Sequence, residues 1–402
     1  MKVRFHRTYV VYKIRESSFA AFIGLLAGLA AAALDAAIVN LHRLVYSEAF
    51  LPYAHTALLA VYASVAYSVE NRFGTPGLLL ALKYLQENLV VPAALWLFKF
   101  LGVVLSLSVL PVGREGPAAF LGTGLGQYLA LLFRVPKGQL GYWGTVGAAA
   151  FVGAFLKTPL GATFYVFENR FGKVLNVDFV INALAAATVS YTVYVALRGA
   201  HPIIPVKGEF DWGIYDLLPA VVLGILTSGV AIAVKFLYEL FKFSASLLDN
   251  WMKPLAVLPL IWLLLAVAQS HDALHLLELS VNYRPLEEVA STLHPPEVLL
   301  KAIVLEVLFL TALLSFGYPG GIILPLIFIG AALGNLVAHA DPEKLPIFVL
   351  TGAAAMLCAA MNVPITAVVM IAEMSHRTLI VPEIVAVLTA YFLASSVKLL
   401  RR

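Results

Sequence analysis

Apolar runs of membrane-crossing length recur from one end of this chain to the other. They are SSFAAFIGLLAGLAAAALDAAIV (17–39), WLFKFLGVVLSLSVL (96–110), FVINALAAATVSYTVYVAL (179–197), LLPAVVLGILTSGVAIAVKFL (217–237) and PLAVLPLIWLLLAVA (254–268). A hydrocarbon core takes about 20 apolar residues of helix, and each run reaches or approaches that length. Composition agrees: 12% of the 402 residues are charged and 61% hydrophobic, with mean hydropathy +0.91, whereas soluble domains are about one quarter charged. The solvent for this chain is a lipid bilayer, and the expected fold class is an all-α polytopic membrane protein.

The formal net charge of +4 does not point to nucleic acid, because of where the basic residues lie. Lys2, Arg4, Arg7, Lys13 and Arg15 precede the first run, and Lys398, Arg401 and Arg402 close the chain. Basic flanks of this kind collect on the cytoplasmic side, so both termini are expected there. The first run is too long for the apolar region of a cleaved signal peptide. The single cysteine, Cys358, excludes an intrachain disulfide and reads as a small packed hydrophobe.

The two halves repeat each other. GREGPAAFLGTGLG (113–126) aligns without a gap on GIILPLIFIGAALG (321–334), at an offset of 208 residues, matching Gly113 with Gly321, Pro117 with Pro325, Gly122 with Gly330 and Gly126 with Gly334. GAAAFVGAFLKTPLGATFYVFE (147–168) aligns on GAAAMLCAAMNVPITAVVMIAE (352–373), at an offset of 205, matching Pro159 with Pro364 and Glu168 with Glu373. Chance alanine matches are common in apolar sequence, but glycine, proline and glutamate at fixed spacing in two blocks are not. One transmembrane transport domain is expected over 1–402, with a first repeat over about 17–200 and a second over about 210–400. The polar stretch RGAHPIIPVKGEFDWG (198–213) separates them, QSHDALHLLELSVNYRPLEEVASTLHPPE (269–297) is the other polar segment, and no C-terminal regulatory domain is expected.

Proline breaks the repeated blocks. Pro117, Pro159, Pro325 and Pro364 each fall inside an apolar region and are expected to start helices, since proline lacks an N–H and disfavours helix just before it. PLGATFYVFE alone would rise only about 15 Å. Broken helices at corresponding places of two repeats point to a transport site near the bilayer midplane.

The stretch GREGP then acquires a chemical reading. A helix starting at Pro117 offers free N–H groups and the positive end of its dipole, which together suit an anion. Gly113 and Gly116 let backbone come close, and Pro325 and Pro76 (in FGTPG, 73–77) would supply two further poles. Glu115 is a tethered carboxylate beside such a cradle and can occupy it, admitting a free anion when protonated or displaced. Helix-end stabilisation or pairing with Arg114 is the plainer alternative, but an intramembrane carboxylate is costly unless used.

FGTPG, GREGP and GGIILP, in this order on a duplicated membrane chain, resemble the CLC family of chloride channels and chloride/proton exchangers. TPLGATFYVFE and VPITAVVMIAE add to the likeness, which covers nearly the whole chain. The resemblance implies a CLC-like fold of two inverted-topology repeats with broken, tilted helices, and a homodimer joined through helices near 159–168 and 364–373. It implies transport of chloride or a similar small anion with no cofactor. It makes Glu115 the gating residue and puts Phe73, Gly74, Thr75, Gly113, Arg114, Gly116, Gly321, Ile322, Ile323 and Leu324 around the anion. It also sets Lys99 along the pathway, with Glu168 and Asn169 at positions tied to proton coupling, while the echo of Glu168 at Glu373 fits a structural role at a helix end. A snorkelling role is the alternative for Lys99.

Three departures from the family pattern shape the expectation. Phe73 stands where the family has a coordinating serine. Asn169 stands where exchangers carry an inner proton-accepting glutamate, and an amide does not relay protons by ionising. No tyrosine follows Tyr391 to close the inner side. Proton coupling is therefore expected to be weak or absent, with a proton-coupled antiporter as the alternative. An intramembrane metal enzyme, suggested by His271 and His275 in HDALH, lacks any supporting motif. GTGLG (122–126) does not follow a strand and reads as a close-packing helix face, not a phosphate loop. A cation carrier would need several carboxylates at its site.

Overall fold

The computed structural model describes residues 2–45, 78–87, 89–108, 113–169, 176–207, 211–249, 252–270, 283–318, 320–378 and 380–395. The described residues are almost wholly helical. In chain order the helices are α1 (Lys2–Val45), α2 (Leu78–Gln86), α3 (Ala93–Leu107), α4 (Glu115–Leu132), α5 (Leu140–Phe155), α6 (Pro159–Glu168), α7 (Val177–Arg198), α8 (Leu217–Ser246), α9 (Lys253–Ala256), α10 (Leu258–Ser270), α11 (Arg284–Ser291), α12 (Pro296–Ser315), α13 (Ile323–Val337), α14 (Leu345–Met361), α15 (Pro364–Ser375) and α16 (Val381–Leu393). Six helical stretches among them are long and apolar enough to cross a membrane, whereas Ala93–Leu105, Pro364–Ser375 and Val381–Leu393 are apolar but shorter. The chain is a multi-pass membrane protein.

Most apolar runs emerge as single helices, with one exception. The run 254–268 is split, α9 ending at Ala256 and α10 starting at Leu258. Pro254 and Pro259 fall in the first turns of the two pieces, where a missing N–H costs nothing, and neither fits the interior of one longer helix.

The chain forms two compact units: one of Met1–Asp35, Leu78–Leu97 and Ala118–Ala200, the other of Ala36–Gly77, Phe98–Pro117 and His201–Arg402. In the first, α5 packs on α7 and α6, and α6 on α7. A Cβ placed on Gly122 would overlap the Gly147 carbonyl, and one on Gly147 the Gly122 carbonyl, so the bodies of α4 and α5 cross at these two glycines. Helices in lipid associate by such close backbone approach. Buried Asp35 in α1 is neutralised by Arg198 at 2.6 Å.

In the second unit, α14 packs on α13, α16 and α8, and all its residues from Leu345 to Met361 are buried. Here α13 and α14 cross at Gly330 and Gly352 with the same reciprocal overlap, each glycine barring a Cβ on the other. These are the repeat counterparts of Gly122 and Gly147. The turns that follow match too. Lys157 and Asn362, both left-handed at φ 53° and 59°, precede Thr158 (φ −132°, ψ 75°) and Val363 (φ −127°, ψ 72°). Pro159 and Pro364 then start α6 and α15 at their first position, as the sequence leads one to expect.

A second echo lies just beyond the aligned block. Gln127 accepts from the Val91 N–H at 3.0 Å and donates to the Leu89 carbonyl at 2.8 Å, pinning the segment ahead of α3. Asn335 accepts from the His294 N–H at 3.2 Å and donates to the Val289 and Thr292 carbonyls, both at 2.7 Å, pinning the segment ahead of α12. Each amide satisfies backbone groups that no helix serves. Each thereby fixes the entry of the helix that leads to GREGP or GGIILP.

Candidate functional site

Two helices start earlier than the prolines lead one to expect. Glu115 and Ile323, not Pro117 and Pro325, begin α4 and α13. Both prolines sit at the third helical position, still among the four whose N–H has no intrahelical acceptor. The shift puts the glutamate itself in the first turn of α4 and frees the Ile323 and Leu324 N–H groups at the start of α13.

Those two amides converge on one atom. Glu115 Oε1 accepts from the Ile323 N–H in a short hydrogen bond and from the Leu324 N–H at 3.1 Å. Its other oxygen, Oε2, is buried without a hydrogen-bond partner among the described residues, and the side chain is 1% exposed. A carboxylate here meets both free amides and the positive pole of α13, so it sits where an anion is favoured.

Glycines make the room. Gly113 and Gly321 exchange backbone bonds in both directions, Gly113 N–H to Gly321 O at 3.1 Å and Gly321 N–H to Gly113 O at 2.6 Å. They form an isolated antiparallel bridge. A Cβ on either would collide with the Glu115 carboxyl, and one on Gly116 would come within 2.7 Å of the Gly320 carbonyl. No residue but glycine fits beside the seated carboxylate at 113 or 321.

Arg114 turns to Tyr283, just ahead of α11. Its guanidinium carbon lies 5.1 Å from the ring centroid and Nη1 donates a long 3.4 Å bond to the tyrosine hydroxyl. The pair holds a buried charge against an aromatic face, and nothing in the sequence links residues so far apart.

The structure thus brings Gly113, Arg114, Glu115, Gly116, Gly321, Ile322, Ile323 and Leu324 together in the second unit. Lys99 is buried on α3, also in that unit. Glu168 is the last residue of α6, and Asn169 caps that helix, its side-chain amide donating to the Tyr165 carbonyl at 3.0 Å. Both belong to the first unit. Phe73, Gly74, Thr75 and the HDALH histidines lie outside the described residues. Tyr391 is on α16, with its ring 5.7 Å from that of Phe392.

Sequence reasoning missed Gln127, Asn335, Tyr283 and two further buried carboxylates, Glu306 and Glu383. The amides were within reach, each following directly on the Gly126 and Gly334 match. Glu306 was visible as an acid inside an apolar run.

The voltage gated chloride channel family profile matches residues 57–395. The chain is 26% identical over 416 residues to the H(+)/Cl(-) exchange transporter ClcA of Cronobacter sakazakii, covering 93% of this chain and 85% of that one. It is 25% identical over 409 residues to ClcA of Salmonella newport, covering 93% and 84%. Among solved structures it superposes on a CLC-type fluoride/proton antiporter with TM-score 0.80, at 22% identity and 96% coverage of both chains. A slow cyanobacterial Cl-/H+ antiporter gives 0.78 at 19% identity, covering 95% of this chain and 94% of that one. These likenesses fix the all-helical, multi-span fold. The matched family is one of membrane transporters and not of enzymes, and the chain belongs to it, the CLC family of anion-transporting proteins.

Proposed function

We propose that this protein carries chloride or a similar small anion across the membrane through the cradle at the start of α13, with Glu115 as its gate. The observation that supports this reading is the pair of hydrogen bonds from the Ile323 and Leu324 amides to Glu115 Oε1. A charged acceptor takes about 1.5–3 kcal/mol from each such bond, so the seated carboxylate is a strong rival to a free anion. Protonation removes its charge and roughly halves the strength of those bonds. The side chain then yields, and an anion takes the amides. Gly113, Arg114, Gly116, Gly321 and Ile322 shape the backbone around this point, and Lys99 adds a buried positive charge in the same unit.

In this reading the anion and the proton are loosely tied. Protonation of Glu115 supplies a proton step, but Asn169 offers no ionising group. Tight exchange is the second reading, favoured by the relatives described as proton exchangers. The protein acts as a homodimer joined through α6 and α15, with both termini cytoplasmic. Reconstituted anion flux recorded together with proton movement tests the proposal. Flux carried equally by wild type and Glu115→Gln at every pH would defeat the gate, and a fixed stoichiometric proton counterflow would defeat loose coupling.

A further inference from the structure

Four carboxyls are buried among the described residues of the second unit: Glu115, Asp216, Glu306 and Glu383, of which Asp216 is paired with Lys344 at 3.4 Å. The first is seated on amides. Glu383 lies in the first turn of α16, where free N–H groups and the helix dipole suit a negative charge. Glu306 has neither benefit. It sits in the middle of α12, where every backbone group is used by the helix, and it is 0% exposed. Both its oxygens lack a hydrogen-bond partner among the described residues. The residues one turn away, Ala302, Ile303, Phe309 and Leu310, are buried and apolar.

Helices α8, α10 and α13 pack against α12. Titratable groups on these neighbours are confined to α8, in Lys235, Tyr238, Glu239 and Lys242, while α10 and α13 carry none. Glu297 and Lys301 are the others on α12 itself. None of these is hydrogen-bonded to Glu306. An acid that is costly in a membrane core and finds no pairing group among the described residues is a candidate for chemistry. Its place adds to this, because α12 packs on α13, the helix whose amides hold Glu115. Glu306 lies roughly 14 Å of helix rise from Ser315, the last residue of α12 before the cradle segment.

We propose that Glu306 is a proton-binding site of the transport cycle, taking up and releasing the proton that accompanies anion movement. The step is a simple transfer: the carboxylate accepts a proton from water on one side, and the acid later gives it up by way of water toward Glu115. No redox or covalent partner is involved. The inference rests on the anion-transport reading and deepens it, since it names the group behind whatever proton movement occurs.

The test uses the full chain in liposomes, with potassium and valinomycin clamping the voltage, and chloride and fluoride gradients in separate arms. Wild type is expected to move protons when an anion gradient is imposed. Glu306→Gln, which keeps shape and loses the ionising group, is expected to retain anion flux of the same order while proton movement is lost. Glu306→Met is the replacement should the amide fold poorly, and it is expected to behave alike. Proton movement unchanged in either variant, or absent from wild type in both arms, overturns the proposal. Glu115→Gln run alongside separates the two ideas: altered anion flux there with unaltered proton movement in Glu306→Gln retains the gate and discards the proton site.

Discussion

Gly113 and Gly321, counterparts in the two sequence repeats, bind each other through both of their backbone groups. A residue paired antiparallel with its own repeat equivalent requires a local two-fold relation between the two segments. The Glu115 carboxyl sits against this bridge, in space that a side chain on either glycine would fill. The seated carboxyl and the symmetry element are one small structure.

If the carboxylate competes with the transported anion, flux must depend on its protonation. Acidification neutralises Glu115 and frees the Ile323 and Leu324 amides, so wild-type flux is expected to rise as pH falls. Glu115→Gln carries no titrating group at this position, and its flux is expected to be flat over the same range. Radiolabelled chloride uptake into liposomes across a pH series checks both curves.

Gly113→Ala and Gly321→Ala are expected to evict the carboxyl from its seat, because the new Cβ lands on it. The expected signature is flux with a weakened pH response, approaching that of Glu115→Gln. Gly138→Ala is the control, since nothing lies within 4 Å of a Cβ there. A pH profile in Gly321→Ala identical to wild type would contradict the seating.

The helix crossings bear on stability instead. Gly330→Ala and Gly122→Ala each drive a methyl into a facing carbonyl in a packed interior. Overpacking of this kind costs about 1–3 kcal/mol. Thermal unfolding in detergent, followed by a fluorescence-detected transition, is expected to shift down for both and to stay put for Gly138→Ala.

Asn335→Leu removes one acceptor and two donors at once, stranding the His294 N–H and the Val289 and Thr292 carbonyls. Buried groups left unpaired cost about 1–3 kcal/mol each. Gln127→Leu loses the equivalent clamp and is expected to destabilise less, having two such bonds where Asn335 has three. Asn335→Gln and Gln127→Asn, scored by the same unfolding transition, show whether side-chain length matters.

Much of this protein is legible in its sequence, and the reason is local. Apolar run length sets the spans, proline disfavours helix in the residue before it, and glycine at fixed offsets marks where backbones meet. So α6 and α15 start at Pro159 and Pro364 as read, and Glu115 stands out as an acid in a chain short of charge. The same local rules failed by two residues at Pro117 and Pro325, because proline is tolerated throughout the first helical turn. Only the tertiary structure decided that one oxygen of Glu115 meets the amides of residues 323 and 324, that Arg114 lies on Tyr283, and that Glu306 is enclosed without a partner among the described residues. Those facts join segments far apart along the chain. Which distant groups meet is set by how whole helices pack, and no pattern within a single helix carries it.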